Sequence, residues 1–142
     1  MKVSEIMSSH VICVGQDESV GTAARLLKRY NLGALPVCDG QGRLRGVVTD
    51  RDIVLRCVAP EGDPAQLRVS EIMSRGIVTA ERSENVNEVS GRMAARQLRR
   101  IPVTEEGRVV GVVSLCDLAR RADCRMEAGD TLGAVSANLR TL

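Results

Sequence analysis

Val3-Ser4-Glu5-Ile6-Met7-Ser8 recurs unchanged as Val69-Ser70-Glu71-Ile72-Met73-Ser74, 66 residues further along the chain. A run of consecutive identities this long is a poor outcome of chance and marks an internal duplication, which has to be read before any single element. The same offset carries Glu18 onto Glu84, Val20 onto Val86, Leu32 onto Leu98 and Pro36-Val37 onto Pro102-Val103. One residue is then lost in a turn. Beyond it Gly42-Arg43 matches Gly107-Arg108, Gly46-Val47-Val48-Thr49 matches Gly111-Val112-Val113-Ser114, and Asp52 matches Asp117.

Each copy reads as strand, helix, strand, turn, strand, helix. Val11-Ile12-Cys13-Val14 and Ile77-Val78-Thr79-Ala80 predict the first strands, each just after an Ile-Met-Ser lead-in. Val20, Ala23, Ala24, Leu27 and, less regularly, Tyr30 fall at helical spacing, as do Val86, Val89, Ser90 and Met93, so each helix buries one face. Asp39-Gly40-Gln41-Gly42 and Glu105-Glu106-Gly107 are turn-forming runs between apolar stretches. They predict hairpins whose return strands are Leu44–Val48 and Val109–Val113. Pro36 and Pro102 shape the strand starts and withhold a backbone donor at a sheet position. Helices are expected over Asp50–Val58 and Leu115–Ala122, with Ala59-Pro60-Glu61-Gly62-Asp63-Pro64 breaking the first. The domain reading is therefore repeat 1 over 1–58, a joint over 59–68, repeat 2 over 69–123 and a tail over 124–142. In the tail Leu132, Val135, Leu139 and Leu142 have helical spacing, with Asp130 as the expected N-cap. Such a tail could close the fold or pair with another copy.

The chain has 142 residues, enough for one compact domain or two small interlocked halves. Its 44% hydrophobic and 27% charged residues are ordinary for a globular protein and argue against general disorder. There is no Trp or Phe and a single Tyr, so the core is aliphatic and base stacking on aromatic rings is excluded as a binding mode. Twenty basic residues are interleaved with eighteen acidic ones for a net charge of +2, which gives no footprint for nucleic acid as the main partner. No apolar run approaches the roughly 20 residues needed to span a bilayer. The segment MKVSEIMSSH lacks the apolar centre of a secretory signal, so the reading is a cytoplasmic protein with no membrane partner. The five cysteines, Cys13, Cys38, Cys57, Cys116 and Cys124, are odd in number and show no C-x-x-C spacing, and His10 is the only histidine. Free thiols are expected rather than a disulfide framework or a zinc site.

The lead-in, the Ala-Leu-Pro-Val or Arg-Ile-Pro-Val strand and the Gly-Val-Val-Thr/Ser-x-x-Asp ending occur in the same order in both copies. This set resembles the cystathionine-β-synthase-type (CBS) repeat over residues 3 to 123. Gly33-Ala34-Leu35-Pro36-Val37 and Val48-Thr49-Asp50-Arg51-Asp52-Ile53-Val54 are especially similar to small bacterial stand-alone proteins of two such repeats. The resemblance implies an α/β fold in which two βαββα repeats pack through their sheets with pseudo-two-fold symmetry, leaving two clefts between them. It also implies association of two modules into a homodimeric disc.

Thr49-x-x-Asp52 lies where a strand ends and a helix begins, which collects a hydroxyl, free backbone N–H groups and a carboxylate on one patch. Helix N-termini suit phosphate. The carboxylate would repel phosphate but can accept hydrogen bonds from both ribose hydroxyls, the role the family assigns to its matching Asp. Thr49-x-x-Asp52 and Ser114-x-x-Asp117 are equally the pattern of a capping box, which satisfies helix N–H groups without any ligand. The duplication and the resemblance favour the ligand reading.

By that resemblance each cleft combines the Thr/Ser-x-x-Asp of one repeat with the first strand and pre-proline residues of the other. The first cleft would join Thr49, Arg51 and Asp52 to Ile77, Val78, Ala80, Arg99 and Arg100. The second would join Ser114, Cys116 and Asp117 to Val11, Ile12, Val14, Gly33 and Ala34. Arg99 and Arg100 offer charge-assisted contacts to phosphates where Gly33 and Ala34 offer none, so the arginine-bearing cleft is expected to prefer the more phosphorylated ligand. Arg96, Arg99 and Arg100 also fit a solvated helix end that places cations at its negative pole.

The implied function is a non-enzymatic regulatory module for AMP, ADP, ATP or another adenosyl ligand such as S-adenosylmethionine. No catalytic cofactor and no metal are expected, and the output would pass to a separate effector chain. The alternative is a ligand-free structural or protein-interaction module of the same fold. An enzyme would need a nucleophile beside a base or a carboxylate pair in a pocket, and the lone His10 near Cys13 is better read as a surface histidine beside a buried thiol.

Overall fold

The structure is a computed structural model and describes residues 1–121 and 125–137. Its described residues fall into two compact bodies whose limits do not follow the repeats. The first body holds Ile12–Ile77 with Gly107–Val109, and the second holds Met1–Val11, Val78–Glu106 and the described residues from Val110 onward. Each body thus carries one repeat together with the lead-in of the other.

In the first body the elements are β1 (Val14–Gly15), α1 (Val20–Tyr30), β2 (Ala34–Cys38), β3 (Leu44–Thr49), α2 (Asp50–Ile53) and α3 (Val69–Ile72). A π-helical turn over Val54–Val58 extends α2, so the expected helix is present but changes its winding midway. β1 pairs parallel with β2, and β2 pairs antiparallel with β3. Ser19 starts α1 by accepting from the Thr22 amide at 3.1 Å, and Asn31 ends it in the left-handed conformation at φ 52°. The helix buries Val20, Ala23 and Leu27 against Val14, Leu35, Val37 and Val48. The helical spacing puts Tyr30 on this face too, but it is 43% exposed. It is the last helical residue, where the apolar stripe has already turned away from the sheet.

The second body repeats the plan with β4 (Ala80–Glu81), α4 (Val86–Arg96), β5 (Arg100–Glu105), β6 (Arg108–Ser114) and α5 (Leu115–Arg120). Its strand order is β4-β5-β6, with β4 parallel to β5. Val86, Val89, Ser90 and Met93 are all buried, as their spacing predicts. A further helix, α6 (Arg125–Ser136), packs on α4 and α5. Asp130, the expected cap, lies within it, because the helix begins a turn earlier than the apolar pattern indicates. Its buried face is Ala128, Thr131 and Val135, while Leu132 is 51% exposed. Thr131 reaches the core because its hydroxyl hydrogen-bonds the Ser90 hydroxyl at 2.7 Å. Leu139, Leu142 and Ala122 lie outside the described residues.

The first strand of each repeat is shorter and later than expected. Only Val14–Gly15 pairs, with Val37 and Cys38, and only Ala80–Glu81 pairs, with Val103 and Thr104. The residues that would continue the ladder backwards are Pro36 and Pro102. Neither has an N–H to offer, so Val11–Cys13 and Ile77–Thr79 remain outside the sheets.

The exchanged lead-ins explain the identity of the two copies. Val3 and Ser4 donate their amides to the Glu84 and Arg82 carbonyls at 2.9 and 3.0 Å, and Val69 and Ser70 donate to Glu18 and Gln16 at 2.8 and 3.0 Å. Val3 and Val69 are both 0% exposed, worth about 1.5–3 kcal/mol each in transfer free energy. Ser8 exchanges two backbone hydrogen bonds with Val112 at 2.9 and 3.0 Å, and Ser74 does the same with Val47 at 2.9 and 3.0 Å. Beneath these bridges the strands carry glycine. A Cβ at Gly46 would lie 2.5 Å from Met73 Sδ and 2.8 Å from the Ser74 carbonyl oxygen, and one at Gly111 would lie 2.6 Å from Met7 Sδ and 2.9 Å from the Ser8 oxygen.

The methionine can swing aside but the backbone carbonyl cannot. Gly46→Ala and Gly111→Ala are therefore expected to cost about 1–3 kcal/mol each in urea unfolding. Gly40→Ala, where a Cβ meets nothing within 4 Å, is the control and is expected to leave the midpoint unchanged.

Candidate functional site

Two patches of the same chemistry form where a sheet's last strand runs into a helix, one in each body. Thr49 closes β3 in extended conformation, and its Oγ1 accepts from the Asp52 amide at 3.0 Å while Asp52 Oδ2 accepts from the Thr49 amide at 3.0 Å. In the other body Ser114 Oγ accepts from the Asp117 amide at 3.3 Å, and Asp117 Oδ2 accepts from the Ser114 amide at 2.7 Å and hydroxyl at 2.8 Å. Both are reciprocal capping boxes.

The caps engage only one oxygen of each carboxylate. Asp52 Oδ1 lies 3.9 Å from Arg56, and Asp117 Oδ1 lies 3.8 Å from Arg120, so in each patch the second oxygen sits beside a guanidinium one turn on. Capping and ligand binding are therefore compatible in the same side chain. The free oxygen can accept two hydroxyl hydrogens, as the vicinal hydroxyls of a ribose would supply. Arg56 also donates to the Ile72 carbonyl at 2.9 Å, which connects the patch to the docked lead-in helix. Neither arginine stands out in the sequence, although Asp52 to Arg56 is four residues and Asp117 to Arg120 is three, the spacings at which helical side chains meet.

Within the first body Thr49 pairs with Ala34, and the Asp50 amide donates to the Gly33 carbonyl at 3.2 Å, so Gly33 and Ala34 lie directly beside Thr49-x-x-Asp52. Within the second, the Leu115 amide donates to the Arg99 carbonyl at 3.0 Å, which places Arg99 and Arg100 beside Ser114-x-x-Asp117. Arg51, Arg99, Arg100 and Cys116 are exposed, whereas Val14 and Ala80 are each 1% exposed and turn their side chains into the two cores. Neither of these two residues presents exposed surface of its own. Ile12 and Ile77 belong to the first body, and Val11 and Val78 to the second, all half-buried at the points where the chain passes from one body to the other.

One of these crossing points is braced. Arg92 on α4 donates to the Thr79 carbonyl at 2.7 Å and to Glu84 Oε1 at 2.6 Å, fixing the backbone between Val78 and Ala80. The Arg92 guanidinium, with the Glu81 amide and against the desolvation of the carboxyl, holds Glu84 below the usual carboxylate range. The matching residue in the first body is Leu26, so the brace belongs to the second alone. Among the described residues no group of three or more His, Cys, Asp or Glu is placed to hold a metal ion, and no helix is long and apolar enough to cross a membrane.

This plan defines the chain as a duplicated α/β module with one capped carboxylate patch per body. The family model of the CBS domain matches it twice, over residues 3–58 and 69–123. The chain belongs to the CBS domain family. It is 38% identical over 134 residues to the CBS domain-containing protein YhcV of Bacillus subtilis, covering 94% of each chain. It is 37% identical over 116 residues to hypoxic response protein 1 of Mycobacterium tuberculosis, covering 82% of this chain and 81% of that protein. A crystal structure of Hypoxic Response Protein I with two coordinated zinc ions superposes with a TM-score of 0.77 at 35% identity, over 85% of this chain and 98% of that one. The CBS domain pair of protein MJ0100, in complex with 5′-methylthioadenosine and S-adenosyl-L-methionine, superposes with a TM-score of 0.72 at 31% identity. That match covers 84% of this chain and 94% of the other.

Glu84 has a folded-state pKa below its unfolded one, so its contribution to stability is complete above the unfolded value and disappears as pH falls through the folded one. Chemical denaturation across about pH 6 to 3 should show a stability loss that is smaller in Glu84→Gln and in Arg92→Leu than in the native chain.

Proposed function

We propose that this chain is a non-enzymatic regulatory module that binds an adenosyl ligand at its Thr/Ser-x-x-Asp patches and signals by a change of conformation or association. The observation that carries the reading is the repeated division of labour within Asp52 and Asp117, one oxygen capping the helix and the other left beside an arginine. A cap needs only the first. An adenosine moiety supplies the ribose diol suited to the second, and the binding of two adenosyl compounds by the similar MJ0100 pair supports this class of ligand.

Among AMP, ADP, ATP and S-adenosylmethionine, a phosphorylated member is favoured wherever Arg99 and Arg100 reach the ligand, since both are exposed and cationic. The Thr49 hydroxyl accepts from the Asp52 amide and can still donate its own hydrogen to a phosphate, whereas the Thr49 and Ser114 amides are already held by their own aspartates. The reading places the module in the cytoplasm, without catalytic cofactor, handing its signal to a separate effector chain. Homodimer formation is supported by Val54, Leu55 and Val58, which are 54%, 49% and 62% exposed on a single turn. That turn also favours the second reading, a ligand-free interaction module.

The test is calorimetric titration of the purified chain with AMP, ADP, ATP and S-adenosylmethionine, each against Asp52→Asn, Asp117→Asn and Arg100→Ala. Saturable binding weakened at least about tenfold in one Asn variant, about 1.4 kcal/mol, is expected and identifies the patch. Arg100→Ala should weaken ATP more than S-adenosylmethionine. No heat with any of the four ligands would leave the interaction module as the function.

A further inference from the structure

We propose that Arg56 couples the Asp52 patch to the docking of the lead-in Val69–Ser74. A docked lead-in holds the guanidinium off the carboxylate and leaves it open to ligand, and a released lead-in lets the guanidinium take the ligand's place. The inference rests on the reading of Asp52 as the acceptor of a ligand diol and adds what regulates it. One nitrogen carries the connection. Arg56 Nη1 donates to the Ile72 carbonyl at 2.9 Å and to the Met73 carbonyl at 3.4 Å, and the same atom lies 3.9 Å from Asp52 Oδ1.

The two carbonyls need a donor. Ile72 ends the four-residue helix α3, and the last carbonyls of a helix have no partner within it. Ile72 and Met73 are 2% and 5% exposed, so solvent does little to replace Arg56. With both hydrogens of Nη1 directed at these carbonyls, the 3.9 Å separation from Oδ1 is an attraction through space rather than a hydrogen bond. The lone pairs of Oδ1 therefore stay available to a diol.

The lead-in is also held without Arg56, since the Val69, Ser70 and Ser74 amides donate to the Glu18, Gln16 and Val47 carbonyls at 2.8, 3.0 and 2.9 Å. It can open and close as a local unit. Opening takes the Ile72 and Met73 carbonyls away from Arg56. The Arg56 side chain is half exposed and stands one helical turn from Asp52, so it then closes to hydrogen-bond distance on Oδ1 and occupies the lone pairs that a diol would use. This competition sets the sign of the coupling. Docking favours the ligand, and by reciprocity the ligand favours docking.

The test follows amide exchange by NMR in the purified full-length chain, with and without saturating AMP, ADP, ATP or S-adenosylmethionine. The Val69, Ser70, Met73 and Ser74 amides are all hydrogen-bonded and report docking. Without ligand, Arg56→Ala should speed their exchange about fivefold or more, and Arg56→Lys should do so less because an ammonium still reaches the carbonyls. Arg120→Ala, which removes the guanidinium beside Asp117, should leave them unchanged. A bound ligand should slow these amides more than those of α1 in the native chain, and both alike in Arg56→Ala. Val69→Ala, which loosens the lead-in from the core, should weaken binding about fivefold or more in calorimetry and have no further effect once Arg56 is alanine. Binding without this selective slowing, or an equal loss from Val69→Ala with and without Arg56, would overturn the proposal and leave the functional reading standing. Binding of none of the four ligands would overturn both. The selective slowing is read in the unmutated chain, so the outcome stands even where a variant fails to fold.

Discussion

At Gly46 and Gly111 only a hydrogen atom separates a return strand from the lead-in seated on it. This close approach lets Ser74 and Ser8 form their paired backbone bonds to Val47 and Val112, and it brings Val69 and Val3 into the cores as fully buried side chains. Each repeat is thereby completed by a segment that precedes the other one. The arrangement holds the loop between first strand and first helix, the return strand and the helix after it in one connected set of contacts, with Arg56 reaching from beside Asp52 to the lead-in carbonyl of Ile72. The six-residue identity between the copies follows from this, since both lead-ins face receptor surfaces of the same shape.

The carboxylate patches depend on that frame. A capping box in an isolated four-residue helix would be marginal, because so short a helix cannot offset its own nucleation cost. Here the strand before Thr49 is pinned by its pairing and the helix after Asp52 is held by Arg56, so the carboxylate stands in a fixed direction with one oxygen committed and one open. A preorganised acceptor loses less on binding a diol than a mobile one. The cap thus uses one oxygen of a rigidly held carboxylate and leaves the other beside an arginine.

Around a common frame the two repeats have diverged in chemistry. The first carries Cys13 and Cys38 where the second carries Thr79 and Thr104, and the second carries the Glu84–Arg92 brace where the first has leucine at the arginine's position. Gly33 and Ala34 border one patch while Arg99 and Arg100 border the other. Several of these differences reach the edges of the two cores, since Leu26 packs against the first and Cys38 and Thr104 are buried. Duplication supplied two equivalent patches, and substitution around them made them unequal in charge.

Much of this is legible in the residues. The repeat, the helices begun by Val20 and Val86, the hairpins and the Thr/Ser-x-x-Asp boxes are local patterns, and local patterns report propensity and spacing directly. The first strands start later than their apolar runs suggest because their extent is decided by what lies across the ladder, and Pro36 and Pro102 have no donor to give. Asp130 falls inside its helix because a buried Thr131–Ser90 hydroxyl pair takes a core position that an apolar count passes over. Arg56, Arg120 and Arg92 escape a sequence reading since a charged residue on a helix reads as solvated until its partner is known. The sequence by itself determined that the chain is a duplicated α/β unit and which residue types stand at each strand end. Only the tertiary structure decided which lead-in completes which repeat. Both lead-ins are the same six residues and both receptor glycines sit in the same Gly-Val-Val run, so local chemistry cannot distinguish docking at home from docking across. That choice belongs to the path of the whole chain between Ser8 and Val14 and between Ser74 and Ala80, a long-range property that no local pattern encodes.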